Sequence, residues 1–245
     1  MRKGYMPQFN LTDTTSNRGH GEATSYEPAC RLVSLFTASG DFEQTSDLAL
    51  ILGRKAASLG ETVLILDAAA GILLKHAGII YARTLADVAD GSAAMQDALY
   101  VTSNEHFTAG AVGDAGLENA LGLLAALSLS YDWVFVVPKV GCETEHVRLG
   151  QAADVSIMTY DTHGDQFMRA FWMLDALRRR AAQFDPFILS TGKKGDAVET
   201  AFMLSETIRE HLGAPPPYAG HADDIDMASR LLEKMRDQAE RRTVA

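Results

Sequence analysis

At 245 residues, with 47% hydrophobic and 22% charged residues, the chain has the profile of an ordinary globular protein and enough length to bury a large core. Its net charge of -10 repels a phosphate backbone, which argues against bulk nucleic-acid binding and leaves room only for a local basic patch. Cys30 and Cys142 have no CxxC spacing, no secretory apolar stretch opens the chain, and no apolar run approaches the ~20 residues of a membrane span, so a reducing cytoplasm is the expected compartment.

Residues 1–28 are polar, turn-rich and without periodicity, and read as a flexible arm. From residue 29 to 245 strands and helices alternate in the manner of one α/β domain that includes the C-terminal helix. The run RLVSLFTA suits a buried strand, and SDLALILGRKAASLG has helical spacing with Gly60 as its C-cap residue. TVLILDAAAG is a second buried strand ending at Asp67, followed by a short helix in TLADVADG and another in SAAMQDALY. LENALGLLAALSLS is helical, YDWVFVVPKVG is a strand with Pro138 at its end, and AADVSIMTY is the next strand. The helix DQFMRAFWMLDALRRRAAQ, the strand DPFILSTG and the helix DAVETAFMLSETIREHLG complete the alternation. APPPYAG reads as a rigid connector, and DDIDMASRLLEKMRDQAERR as a final amphipathic helix. Continuously apolar strands separated by helices imply a mostly parallel central sheet covered on both faces. Ligands of such sheets bind at the carboxyl ends of the strands, which here are Thr37 to Ser46, Asp67 and Val137 to Gly141.

The first of these segments, TASGDFEQTSD, has the layout of a phosphate loop between a strand and a helix, but not its chemistry. Phosphate loops use glycines to converge backbone N–H groups on phosphate oxygens, a Lys for charge and a Ser or Thr for magnesium. This loop has one glycine, Gly40, and no Lys or Arg from Leu32 to Gly53, while Asp41, Glu43 and Asp47 add negative charge. A triphosphate set among uncompensated carboxylates is disfavoured by several kcal/mol at low dielectric.

Four segments, in order, resemble the MinD/ParA group of P-loop ATPases and its relatives, the flagellar-number regulators and the cytoplasmic bacterial tyrosine kinases of polysaccharide export. They are TASGDFEQTSDLALILG, GETVLILDAAAG, RTLADVADGSAAMQDAL, and YDWVFVVPKVG followed by AADVSIMTYD, and the resemblance runs from Leu32 to about Gly213. It implies a MinD/ParA-like P-loop fold, and it also locates the departures. Thr45 stands where the family has its phosphate-binding Lys, and Ser46 keeps the magnesium hydroxyl position. The family's second loop Lys falls on Gly40 or Asp41. Asp67 matches the first switch carboxylate, Ala69 replaces the second, and Val137 followed by Pro138 replaces the Walker B Asp and its Thr. Phosphoryl transfer depends on positioning and charge neutralisation by those groups. The resemblance with its departures therefore implies a non-hydrolytic scaffold or regulator, with no catalytic residues, no metal and no cofactor, ATP and magnesium being disfavoured.

The implied partners are proteins, either an active paralogue or an inner-membrane assembly protein, with a homodimer as the expected assembly. The implied role is in placing or assembling a cell-envelope machine such as a flagellum or other polar organelle, with recruitment to the inner membrane or a pole through a partner. Two alternatives stand beside it: a kinase-dead partner of a polysaccharide export system, and an ATP-binding enzyme with a rewritten phosphate loop.

Other clusters have plainer readings. CETEH (Cys142 to His146) lacks the second ligand pair of a zinc site and reads as a solvent-facing loop. In HADD (His221 to Asp224) the Asp residues read as an N-cap for the last helix. Arg178 to Arg180 read as solvated charge at a helix C-terminus. Thr191 and Gly192 stand where the family has an adenine-reading Asn, and Lys193 and Lys194 read as an exposed turn. In the last helix, Ile225, Met227, Leu231, Leu232 and Met235 read as a face packed on the domain or a partner rather than on a membrane.

Overall fold

The computed structural model describes residues 30–38, 42–69, 71–102, 106–113 and 116–244. The arm expected over 1–28 lies outside them, as do Gly40 and Asp41. The described residues begin with β1 (Arg31–Thr37), α1 (Phe42–Ser58), β2 (Val63–Ala68), α2 (Ile72–His76), α3 (Leu85–Ala89) and α4 (Met95–Ala98). They continue with β3 (Tyr100–Val101), β4 (Thr108–Ala111), α5 (Gly116–Leu127), β5 (Trp133–Pro138), α6 (Thr144–Ala152) and β6 (Val155–Asp161). The last third holds α7 (Gln166–Arg178), β7 (Phe187–Thr191), α8 (Ala197–His211), β8 (Tyr218–His221) and α9 (Met227–Val244).

The strands form one sheet in the order β3-β4-β2-β5-β1-β6-β7-β8, parallel except for the short β3–β4 pair. Because successive side chains point to opposite faces, the apolar strands feed two cores. One face carries Val33, Leu35, Ile65, Trp133, Phe135 and Ile157 against α1, α2 and α9, and the other carries Phe36, Leu64, Leu66, Val134, Val136 and Met158 against α5, α6, α7 and α8. Strands buried on both faces have no polar alternation, which is why they read as continuous apolar runs.

Local chemistry sets the ends of the elements. Helix α1 buries Leu48, Leu52 and Ala56 at four-residue spacing, and the chain leaves it through Gly60 at φ 87, a left-handed turn that suits glycine. Helix α3 starts in a capping box: Thr84 Oγ1 accepts from the Asp87 N–H at 3.4 Å, and the Asp87 carboxylate accepts from the Thr84 N–H at 2.7 Å.

Several expectations need correction. Helix α1 begins at Phe42, not Ser46, so Thr45 and Ser46 lie in its first turns. The pair β3 and β4 and the helix α6 were not foreseen, and the supposed connector APPPYAG ends in the parallel strand β8. Helix α9 packs on its own domain, burying Met227, Leu231, Leu232 and Met235 against the α1 face, but Ile225 precedes the helix and is 85% exposed.

Candidate functional site

The carboxyl ends of β1, β2 and β5 lie side by side, with Asp67 opposite Val137 and Ala68 opposite Pro138 in register. The chain leaves β1 for α1, whose first turns stand over this edge. Thr45 and Ser46 are both fully buried there. The Thr45 hydroxyl lies 2.7 Å from that of Thr159 at the end of β6, and Thr159 Oγ1 in turn donates to the Phe36 carbonyl at 3.3 Å. The Ser46 hydroxyl and the Gln44 side-chain oxygen are buried without a hydrogen-bond partner.

Asp67 is 1% exposed and has both carboxylate oxygens engaged by backbone. Oδ1 accepts from the Ala69 N–H at 2.8 Å and Oδ2 from the Leu74 N–H at 3.1 Å, so this carboxylate fastens the turn from β2 into α2. Ala69 and Val137 are buried and apolar. Next to them, His76 of α2 reaches back to α1, with Nδ1 3.2 Å from Asp47 and Nε2 3.8 Å from Glu43. A hollow of about 340 Å³ beside α2 is lined by Gly71, Lys75, Gly78, Ile79, Ile80 and Tyr81.

No protein-family description matches the chain, and no curated protein matches its sequence. Solved structures do match its fold. The MinD cell division protein of Aquifex aeolicus is 21% identical, with a TM-score of 0.63 over 88% of this chain and 98% of that one. A plasmid partition protein from Borrelia burgdorferi is 13% identical, with a TM-score of 0.63 over 85% of this chain and 99% of that one. Cobyrinic acid a,c-diamide synthase from Mycobacterium smegmatis, with bound ADP and magnesium, is 16% identical, with a TM-score of 0.62 over 86% of this chain and 93% of that one. The chain has the MinD/ParA-type P-loop NTPase fold.

Ligands of open parallel sheets bind at the carboxyl ends of the strands, and most of the polar side chains described at this edge are already engaged within the fold. Thr45 is committed to Thr159, both Asp67 oxygens are committed to backbone, and the strand-end position beside Asp67 is the hydrocarbon of Val137. The carboxylates near the start of α1 add charge of the same sign as phosphate. Among the described residues there, the orphaned Ser46 hydroxyl and Gln44 side-chain oxygen are groups whose bonding a ligand would complete.

Further along the chain, CETEH is not a solvent-facing loop: Thr144, Glu145 and His146 open α6, and His146 is fully buried. Its Nε2 is 2.9 Å from the Lys139 carbonyl and its Nδ1 is 2.9 Å from Glu143 Oε2. Lys139 Nζ lies 2.9 Å from Glu145, whose hydrogen bond first, and then its charge, hold the ammonium above the usual lysine range, with a smaller push from Glu143. Cys142 is not part of this group.

The remaining candidates are bound into the fold. The three arginines are not merely solvated charge. Arg178 donates to the carbonyls of Phe184 and Ala214 and pairs with Asp185 at 3.0 Å, Arg179 pairs with Asp175 at 2.9 Å, and Arg180 donates to the Cys142 carbonyl at 2.7 Å and to Thr144 Oγ1 at 3.2 Å. The Asp residues of HADD do not cap α9. Asp224 accepts from the His221 N–H at 3.0 Å and pairs with Lys194 at 2.9 Å, closing the turn after β8. Thr191 donates to the Tyr160 carbonyl, and Gly192 sits at φ 81 against the Asp161 carboxylate, where a Cβ would collide. No helix among the described residues is long and apolar enough to cross a membrane.

Proposed function

We propose that this chain is a non-hydrolytic MinD/ParA-like protein that works through protein–protein contacts, as a scaffold or regulator of a bacterial cell-envelope machine such as a flagellum or other polar organelle. The observation that carries this reading is Val137. At the strand end beside Asp67, where a metal-linked carboxylate belongs by the resemblance, the side chain is apolar and fully buried. The Thr45–Thr159 bond supports it, because the position of the phosphate-binding Lys holds a hydroxyl turned to internal packing. Electrostatic stabilisation of a transferring phosphoryl group depends on cations that these positions no longer supply.

What such a protein retains is surface. Val198 and Phe202 stand one turn apart on α8 at 79% and 65% exposure, an apolar stripe of the sort that protein partners cover. The assembly we infer is a homodimer or a pair with an active paralogue, recruited to the membrane or pole by its partner. A kinase-dead role beside a polysaccharide export assembly would use the same surface logic.

The test is calorimetry of the full chain with ATP and magnesium, together with a turnover assay and sedimentation analysis. The expected result is no heat of binding, no phosphate release, and a defined oligomer that ATP does not alter. Millimolar or tighter magnesium-dependent affinity would sink the reading and favour a rewritten enzyme site centred on Ser46.

A further inference from the structure

We propose that the segment joining β5 to α6 is a divalent transition-metal site, with zinc as the best-matched ion, built from His146 Nδ1 and the carboxylates of Glu143 and Glu145. The candidate ligand atoms of these three residues all lie within 4.8 Å of one another. The proposal is independent of whether the chain binds nucleotide.

The hydrogen bonding of His146 carries the argument. Nε2 stands 2.9 Å from the Lys139 carbonyl oxygen, which can only accept, so Nε2 bears the proton and donates it. In the neutral ring Nδ1 is then a lone pair, and this buried nitrogen has no hydrogen-bond partner. Its nearest polar neighbour is Glu143 Oε2 at 2.9 Å, another acceptor. The fully buried Nδ1 and the 64% exposed Glu143 carboxylate thus face each other as two acceptors, and a metal cation shared between them would satisfy both. Ligands bound to zinc at ~2.0–2.1 Å stand about 2.9–3.4 Å apart, so the observed spacing already suits two donors on one ion.

The surroundings are those of a supported site. A ligating His characteristically gives its other ring N–H to a carbonyl or carboxylate, which fixes the tautomer, and the Lys139 carbonyl does this here. The Arg180 guanidinium holds both sides of Glu143 through the Cys142 carbonyl and the Thr144 hydroxyl. Gly141 keeps the approach clear, because a Cβ there would lie 2.7 Å from His146 Cε1 and against the Glu143 carboxylate. An imidazole with two carboxylates selects zinc-like ions over magnesium or calcium, which prefer all-oxygen sets. Three protein ligands leave a fourth position for water or a donor from a partner. In the metal-free protein Lys139, paired with Glu145 and itself 59% exposed, supplies the positive charge and is free to swing aside.

The test uses the full chain, stripped with a chelator and titrated with zinc by calorimetry and with cobalt(II) by visible absorption. The expected result is one saturable equivalent, with Glu143→Gln and Glu145→Gln each weakening binding at least tenfold. Both substitutions lie at partly exposed positions, and circular dichroism would check that each variant folds as the parent does. Nitrogen NMR of the histidine rings adds an independent readout. His146 is expected as the Nε2–H tautomer before zinc and with a shifted Nδ1 resonance after it. The proposal is overturned if wild type shows no saturable binding, if both carboxylate variants bind as wild type does, or if the His146 resonances do not respond to zinc.

Discussion

The hydroxyls of Thr45 and Thr159 stand 2.7 Å apart and fully shielded from solvent, tying the first turns of α1 to the end of β6. A pair of neutral hydroxyls satisfies itself, whereas an ammonium at Thr45 would be buried beside hydroxyls with no carboxylate partner among those described contacts.

Thr45→Lys should therefore fail to restore nucleotide binding and should destabilise the fold, whereas Thr45→Val should cost about 1 kcal/mol for one lost hydrogen bond. Urea denaturation measures the second cost, and calorimetry with magnesium ATP tests the first expectation. Ser46→Ala should be close to neutral in stability, because its hydroxyl has no partner to lose.

Asp67 and Val137 face the same core from adjacent strands. Asp67→Ala would strand the N–H groups of Ala69 and Leu74, at about 1–3 kcal/mol for each buried donor, while Asp67→Asn keeps an acceptor oxygen and should cost less. Val137→Asp would bury a second carboxylate next to the first and should cost about 3–5 kcal/mol. Equilibrium unfolding of the three variants should rank Asn as the mildest change. If Val137→Asp unfolds at the wild-type midpoint, that strand end is wetter and more tolerant than the packing implies.

Much of this architecture was readable in the sequence, and the failures have physical causes. Strands β1, β2, β5, β6 and β7 are buried on both faces and so appear as unbroken apolar runs. Strand β4 reads only Thr-Ala-Gly-Ala, because at Gly110 even a Cβ would press the Ala98 carbonyl and the Leu99 side chain at 3.1 Å. Strand β8 hid behind three prolines, and α6 is short and opens on polar residues. At the candidate site the residue types themselves were legible one by one, and their contacts were not. The Thr45–Thr159 bond was not, since it joins positions 114 residues apart. Nor was the burial of His146, since periodicity across a short helix does not reveal a lone polar core residue.

Burial, with lesser contributions from Asp154 and Asp132, pushes the Cys30 thiol up to about 12. At pH 8 its thiolate fraction is then about a thousandfold below that of an ordinary thiol. In a Cys142→Ser variant, alkylation of the folded chain at pH 8 should be slow and should speed up sharply on unfolding in urea. Mass spectrometry of the time course gives both rates, and equal rates in the two states would contradict the burial.

The carboxyl of Asp224 is held below the usual carboxylate range, first by its hydrogen bond with Lys194, then by the His221 N–H, with the charges of Lys194 and Arg230 adding to it. A folded-state value below the unfolded one means that Asp224 contributes stability above the unfolded value, near pH 4, and loses it as the pH falls through the lower folded value. Asp224→Asn should therefore cost about 0.5–1 kcal/mol at pH 7, as expected for a partly exposed ion-pair network, and the same at pH 5.5. The gap between variant and wild type should close as the pH drops below about 4, and it should narrow in high salt at any pH where the carboxylate is charged. Urea midpoints at these pH values read it directly. A gap that persists unchanged at pH 2.5 would mean that the substitution acts through the geometry of the turn after β8 and not through the charge.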